Sequence, residues 1–367
     1  MSRFFLAKRR GFTLIELMMA VLISTVITSA LFGLFKIQSR QLMHQDQQMS
    51  MHQNLRFAAD ILSRSARMAG YGTGGEVTGP MGYDYTADAT SDDYALPAII
   101  AWDGGSSSSD AITMVYADPS LEMNTSVTVT EACSATDLTF NMAHKNYSSL
   151  IGNYAADELM MCWDYKVTGD TDSFLWNIST AGSSGNGTVG ITSNSGVYSD
   201  FDALCGTTEN LPPIMWCSRA NVVSFYVDDD DTDGVGPGSA DHPVLMMDLN
   251  YTYPSNGQSV DDVPLVDEIE DLQVEYCLKD ADCTLDSSWE DSLGLDDNGT
   301  YEGNSVWMVR FTLIARTQRT DMKSFETKKG HSEPRPAIAN RNAASTGDNY
   351  HRTITSTEVT VRNLRLL

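Results

Sequence analysis

The sequence predicts an α+β fold: one long N-terminal helix followed by a mostly antiparallel β head. Three observations predict it. The run from Phe12 to Phe35 is almost wholly apolar, the length of a membrane-spanning helix. The polar stretch that follows from Gln38 carries apolar residues at Met51, Leu55, Ala58, Leu62, Ala66 and Ala69, at spacings of three and four. From Ala111 onward, runs with β character recur between turn signals, and no second long helical pattern appears.

The elements follow in order. Residues 1–11 form a leader whose basic side chains Arg3, Lys8, Arg9 and Arg10 hold the N-terminus in the cytoplasm, by the positive-inside rule. Residues 12–37 are the membrane-spanning half of the helix and 38–69 its amphipathic half. At 1.5 Å per residue the two halves run roughly 85 Å. Gly33 loosens the helix, and Gly70 with Gly72, Gly74 and Gly75 ends it. Residues 70–367 form the head. The stretch 70–110 reads as irregular. Strands are expected at Ala111–Ala117, Ser126–Thr130, Leu159–Tyr165, Phe174–Ile178, Ala220–Val227 and Pro243–Asp248. Others are expected at Leu272–Leu278, Val306–Arg316 and Thr353–Arg362. The segment 169–215, dense in Gly, Ser, Thr and Asn, reads as an insertion.

Glu16 stands near the entry of the apolar run. A lone acid in a membrane segment costs about 2.5–3.5 kcal/mol, so it needs a purpose and a partner. The string Gly11-Phe12-Thr13-Leu14-Ile15-Glu16-Leu17 resembles the type IV prepilin signature. An ordinary secretory signal is cut after its apolar core and has no acid within it; here the glycine precedes the core. The resemblance implies that a prepilin peptidase cuts between Gly11 and Phe12 and that Phe12 is then N-methylated. It further implies that Glu16 pairs with the N-terminal amine of a neighbouring subunit during assembly.

A second resemblance touches both ends of the chain. Arg56-Phe57-Ala58-Ala59-Asp60-Ile61-Leu62-Ser63-Arg64 and Arg67-Met68-Ala69-Gly70-Tyr71 look like the close of the N-terminal helix in the PilW family of minor pilins. The segments from Pro264 to Tyr276, Val306 to Arg316 and Val359 to Asn363 are similar to later parts of that family. Taken alone, the same residues would serve as ordinary core-facing helix and strand positions. The family implies a complex of minor pilins, at the filament tip, that primes polymerisation of the major pilin. The expected function is therefore a minor pilin that helps initiate a type IV pilus. Its alternatives are a type II secretion pseudopilin or a pilus-tip adhesin whose contact surface lies in roughly 70–220. The expected partners are the prepilin peptidase, other minor pilins, the major pilin and, before assembly, the inner membrane. The head would occupy the periplasm first and the cell surface later.

Composition narrows the alternatives. The net charge of -25 repels DNA phosphates and anionic lipid head groups, so no direct nucleic-acid binding is expected. The cysteines Cys133, Cys162, Cys205, Cys217, Cys277 and Cys283 are even in number and lie beyond the membrane segment, which suggests disulfides in an oxidising compartment. They allow 15 pairings, and sequence does not choose among them. Sequential pairing is the working expectation, with Cys277 and Cys283 as a local staple. No C-x-x-C is present to favour a metal site.

Asp229, Asp231 and Asp233, followed by Gly234, form a D-x-D-x-D-G string that suits calcium. The twelfth position of a complete loop would be Glu and is Ala240, and an acidic surface turn fits the same residues. No other cofactor is expected. No Walker A, H-E-x-x-H or G-x-S-x-G string occurs, so the chain is not expected to be an enzyme.

Overall fold

The computed structural model describes residues 13–72, 77–78, 95–121, 123–125, 137–141, 159–164, 173–183, 188–192, 215–229, 242–249, 263–279, 281–294, 303, 305–317, 334–345 and 350–362. Helix α1 runs Leu14–Met68. Contacts divide the chain into two compact units, Met1–Ser50 and Met51–Leu367.

In the first unit, α1 holds a window with mean hydropathy 2.2, long and apolar enough to cross a membrane, and none of it is buried. Three hydroxyls of the apolar half are satisfied within the helix. Ser24 donates to the Val21 carbonyl, Thr25 to Leu22 and Thr28 to Ser24. An apolar solvent supplies no partner for a hydroxyl, so this local bonding is what lets them sit there.

In the second unit, the last turns of α1 bury Met51, Leu55, Ala58, Leu62, Ala66 and Ala69. The whole stripe read from the sequence thus faces the core. The helix ends at Met68, where Gly70 (φ 80) and Gly72 (φ 80) adopt the left-handed conformation that glycine reaches without steric cost. The Gly70 N–H then donates to the Val115 carbonyl and ties the helix end to the head.

The strands are β1 Val77–Thr78, β2 Ala95–Leu96, β3 Ile99–Trp102, β4 Ala111–Ala117, β5 Met123–Thr125, β6 Asp137–Asn141, β7 Leu159–Asp164 and β8 Ser173–Ser183. They continue with β9 Thr188–Thr192, β10 Met215–Asp228, β11 Val244–Leu249, β12 Val263–Asp267, β13 Ile269–Leu278, β14 Val306–Arg316 and β15 Arg352–Thr360. Two sheets result. The first is a 12-stranded sheet, antiparallel except where β1 pairs β8, and the second is the antiparallel sheet β13-β14-β15. Strand β10 organises the first sheet: its start pairs β5 and β7, and its later part pairs β4 and β11.

One core joins α1 to both sheets. Leu55 and Leu62 of the helix share it with Ile112, Met114 and Phe225 of the first sheet and Leu272, Tyr276 and Phe311 of the second. Leu62 is fully buried there. Leu62→Ala is expected to destabilise the head by about 2–5 kcal/mol through lost burial and a residual cavity. Thermal melting of the full chain in detergent checks this, and an unchanged midpoint would contradict it.

The structure departs from the sequence reading in identifiable places. The stretch 70–110 is not all irregular, because β2 and β3 lie in it and Ile99 and Ile100 are buried. Their short run is bounded by the glycine- and serine-rich turn 103–109, which masked the strand signal. The segment 169–215, read as an insertion, contains β8, β9 and the first residue of β10, which does not bear on that reading. Strands β6, β9 and β12 were not expected, and Ser126–Thr130 lies outside the described residues. The run from Pro264 to Tyr276 is two strands of different sheets, divided at Glu268.

Glu268 holds φ 62, uncommon for a residue with a Cβ. Its surroundings fix it there. Its N–H donates to the Pro243 carbonyl at 2.7 Å and its carbonyl accepts from the Arg316 N–H at 3.0 Å. Its buried carboxylate meets His242 Nδ1 at 2.7 Å and Arg316 Nε at 3.2 Å.

Asp110 stitches the two sheets together. Its N–H donates to the Leu272 carbonyl. Its carboxyl accepts from the Val274 N–H at 2.8 Å and the Gly104 N–H at 3.0 Å. Gly104 is required by crowding, since a Cβ there would stand 2.3 Å from the Ser109 carbonyl oxygen. Burial pushes the Asp110 carboxyl up to about 7, aided by Asp103 and Asp271 and opposed by the two backbone bonds.

A carboxyl raised in the fold binds its proton more tightly there than in the unfolded chain. Its effect on stability is therefore unfavourable as pH rises from about 4 to about 7, and constant above that. Asp110→Asn removes this dependence but surrenders one acceptor. The variant is expected to be less stable than wild type at pH 5, with the gap narrowing or reversing at pH 8. Parallel melting-temperature profiles of the two chains against pH would expose this idea as wrong.

Candidate assembly site

The site built by the first unit is the start of α1. Thr13 precedes the helix, and its carbonyl accepts the N–H groups of Glu16 at 3.1 Å and Leu17 at 3.2 Å. The Glu16 N–H also approaches Thr13 Oγ1 at 3.4 Å. Thr13 and Glu16 have the spacing of a capping box, a threonine followed three residues later by glutamate. That spacing is legible in the sequence alone. It places a carboxylate in the first turn, where the unsatisfied N–H groups and the helix dipole favour negative charge.

Around Glu16 the helix offers only apolar surface. From Leu14 to Phe35 the large hydrophobic side chains are 54–79% exposed. Such a surface is insoluble alone and satisfied in lipid or against other helices. One acid at the head of an apolar rod can select the axial position of a cationic partner, because any other axial position leaves it unpaired. Gly11 and Phe12, the expected cleavage and methylation positions, lie outside the described residues.

The head contributes rigidity. Cys277 and Cys283 form a disulfide with a Cα–Cα distance of 5.8 Å. Next to it, Arg310 of β14 lies 4.1 Å from the Trp289 ring centre and meets Glu358 at 3.0 Å and Glu275 at 3.5 Å. The loop after the disulfide is thereby clamped to the second sheet, and Tyr276 and Glu290 exchange backbone hydrogen bonds beside it. A buried cluster holds the segment 334–345: Asp271 Oδ2 meets Arg335 Nη1 at 2.9 Å, and Asp271 Oδ1 meets Arg341 Nη1 at 2.6 Å. Nothing in the sequence reading singled these arginines out, since they are far from Asp271 along the chain and in an irregular segment.

Cys162 and Cys217 are placed by their backbones in β7 and β10, whereas Cys133 and Cys205 lie outside the described residues. Asp229 is exposed just past β10, while Asp231 and Asp233 fall outside the described residues. Among the described residues, no three His, Cys, Asp or Glu side chains come together as a metal site.

Comparison with known proteins addresses both ends of the chain. The family described as "Prokaryotic N-terminal methylation motif" matches residues 6–32, which contain the capped start of α1 and Glu16. The family described as "Type IV Pilus-assembly protein W" matches residues 224–363, from the later part of β10 through β15. That stretch includes the disulfide, the Arg310 clamp and the Asp271 cluster. Among solved structures the chain is similar to a type IV-like pilin from Thermus thermophilus, at 10% identity and a TM-score of 0.33, covering 85% of this chain and 97% of that one. No curated protein matches by sequence. The chain thus carries an N-terminal methylation motif at its start and a segment similar to the type IV pilus-assembly protein W family over 224–363, the two features that a type IV minor pilin combines.

Proposed function

We propose that this minor pilin acts at the tip of the filament, where it helps initiate assembly and is followed by the major pilin. The observation that carries the reading is the size and charge of the head relative to its single helix. The unit Met51–Leu367 is large, and the chain carries a net charge of -25. Repeating such heads at the close spacing of packed helices would crowd like charges and surface area together. One copy at an end meets neither obstacle. In this reading the prepilin peptidase cuts at Gly11, Phe12 is methylated, and Glu16 meets the amine of a neighbouring subunit. The head lies in the periplasm before assembly and outside the cell after it. The role is structural and not catalytic.

Deletion of the gene, with wild-type complementation, tests it. Surface pili should be lost and restored, and an epitope tag on the head should label filament ends. Normal pili with defective protein secretion would assign the chain to a secretion system. Normal pili with lost surface attachment would assign it to adhesion. Labelling along filament shafts would contradict the tip position.

A further inference from the structure

We propose that Cys162 and Cys217 are joined by a disulfide across the ladder between β7 and β10. The two strands pair antiparallel over five consecutive positions without a shift in register: Met215 with Asp164, Trp216 with Trp163, Cys217 with Cys162, Ser218 with Met161 and Arg219 with Met160. Cys162 and Cys217 thus occupy directly opposite positions of the ladder. Their Cα atoms stand about 4.5 or 5.5 Å apart according to the type of pair, and both values lie within the span a disulfide bridges. The chain already forms one such bond at Cys277–Cys283.

This pairing departs from the sequential one that spacing along the chain suggests, in which Cys162 would join Cys133 and Cys217 would join Cys205. Sequence distance is a poor guide here because β10 returns antiparallel to β7 after β8 and β9 have been laid down. The bond would staple the two ends of that intervening segment beside the strand that organises the first sheet. Its formation removes two electrons and two protons from the two thiols. A protein disulfide donor of the oxidising envelope accepts both, and its own S–S bond is reduced to two thiols.

The test is peptide mapping of the full chain, extracted in detergent with free thiols alkylated and digested without reduction. Cleavage after lysine and glutamate separates the four cysteines, since Glu158 lies between Cys133 and Cys162, Lys166 between Cys162 and Cys205, and Glu209 between Cys205 and Cys217. The expected product is the Cys162 peptide linked to the Cys217 peptide, resolved into two on reduction. A link from either cysteine to any other, or alkylation of both in the wild type, overturns the proposal. In Cys162→Ser, Cys217 should become the alkylated thiol; alkylation of Cys133 with Cys217 still bonded would overturn it equally.

Discussion

Glu16→Ala is expected to leave the chain inserted in the inner membrane and largely absent from sheared pili. Removing the acid eases insertion, since a carboxylate in the apolar span costs about 2.5–3.5 kcal/mol. It also removes the one charged group at the capped start of an otherwise apolar surface. If Glu16 meets the N-terminal amine of a neighbouring subunit, as proposed, that amine would then be buried without a counter-charge. Breaking a buried ion pair from one side costs about 3–5 kcal/mol, equivalent to a loss on the order of a hundredfold or more in incorporation. Moving from lipid to a helix bundle gains little hydrophobic burial, so nothing in the apolar face offsets that loss. Quantitative blotting of membrane and filament fractions measures it. Equal recovery of variant and wild type in filaments would remove Glu16 from assembly. Glu16→Gln keeps the shape and hydrogen-bonding capacity without the charge, and its behaviour separates the ion pair from the cap.

Asp271→Ala is expected to be among the most damaging substitutions in the head. Asp271 is fully buried and accepts from Arg335, Arg341, Ser109 and Gln273. Its loss leaves two nearly buried guanidinium groups facing each other across a vacated carboxylate. The cost is about 3–5 kcal/mol, or a fall of roughly 10 °C in the melting temperature of a head this size. The segment 334–345 should loosen first, because Arg335 also donates to the Asn342 carbonyl and Asn340 to Asp103. Hydrogen exchange on the full chain in detergent would show lost protection there and at the 103–110 turn. A midpoint within about 2 °C of wild type would mean that the cluster adds little net stability. Replacing the three charged residues together by apolar ones of similar volume should cost much less than Asp271→Ala, because no charge is then left unpaired.

The parts of the fold legible in the sequence share one property: their signal is local. The stripe from Met51 to Ala69 faces the core because residues three and four apart share a helix face. Ala111–Ala117 and Val306–Arg316 are strands with the bounds expected of them, because each is a compact run rich in β-branched and apolar residues. Strand β9 lies within Gly-, Ser- and Thr-rich surroundings whose composition resembles loop, and β6 is a short run that, among the described residues, finds its partner only in β9. Strand β12 escaped notice because it runs into β13 with only Glu268 between them. No local signal marks that a residue with a Cβ will turn left-handed there; its contacts with Pro243, His242 and Arg316 decide it.

The same division holds for the candidate site. Thr13 and Glu16 are three residues apart, so their cap and the apolar surface beyond them are properties of a short string. That string and the segments of the last third lie where the two family models match. The sequence by itself therefore determined the apolar run, the helix, the buried stripe and the resemblance to the pilus-assembly family. Only the tertiary structure decided which distant residues meet, Asp271 with Arg335 and Arg341 and Asp110 with the Val274 N–H, and which strand register sets Cys162 opposite Cys217. Helical periodicity is fixed by geometry over a few residues, whereas strand register and buried polar pairing depend on loop closures that no local pattern encodes.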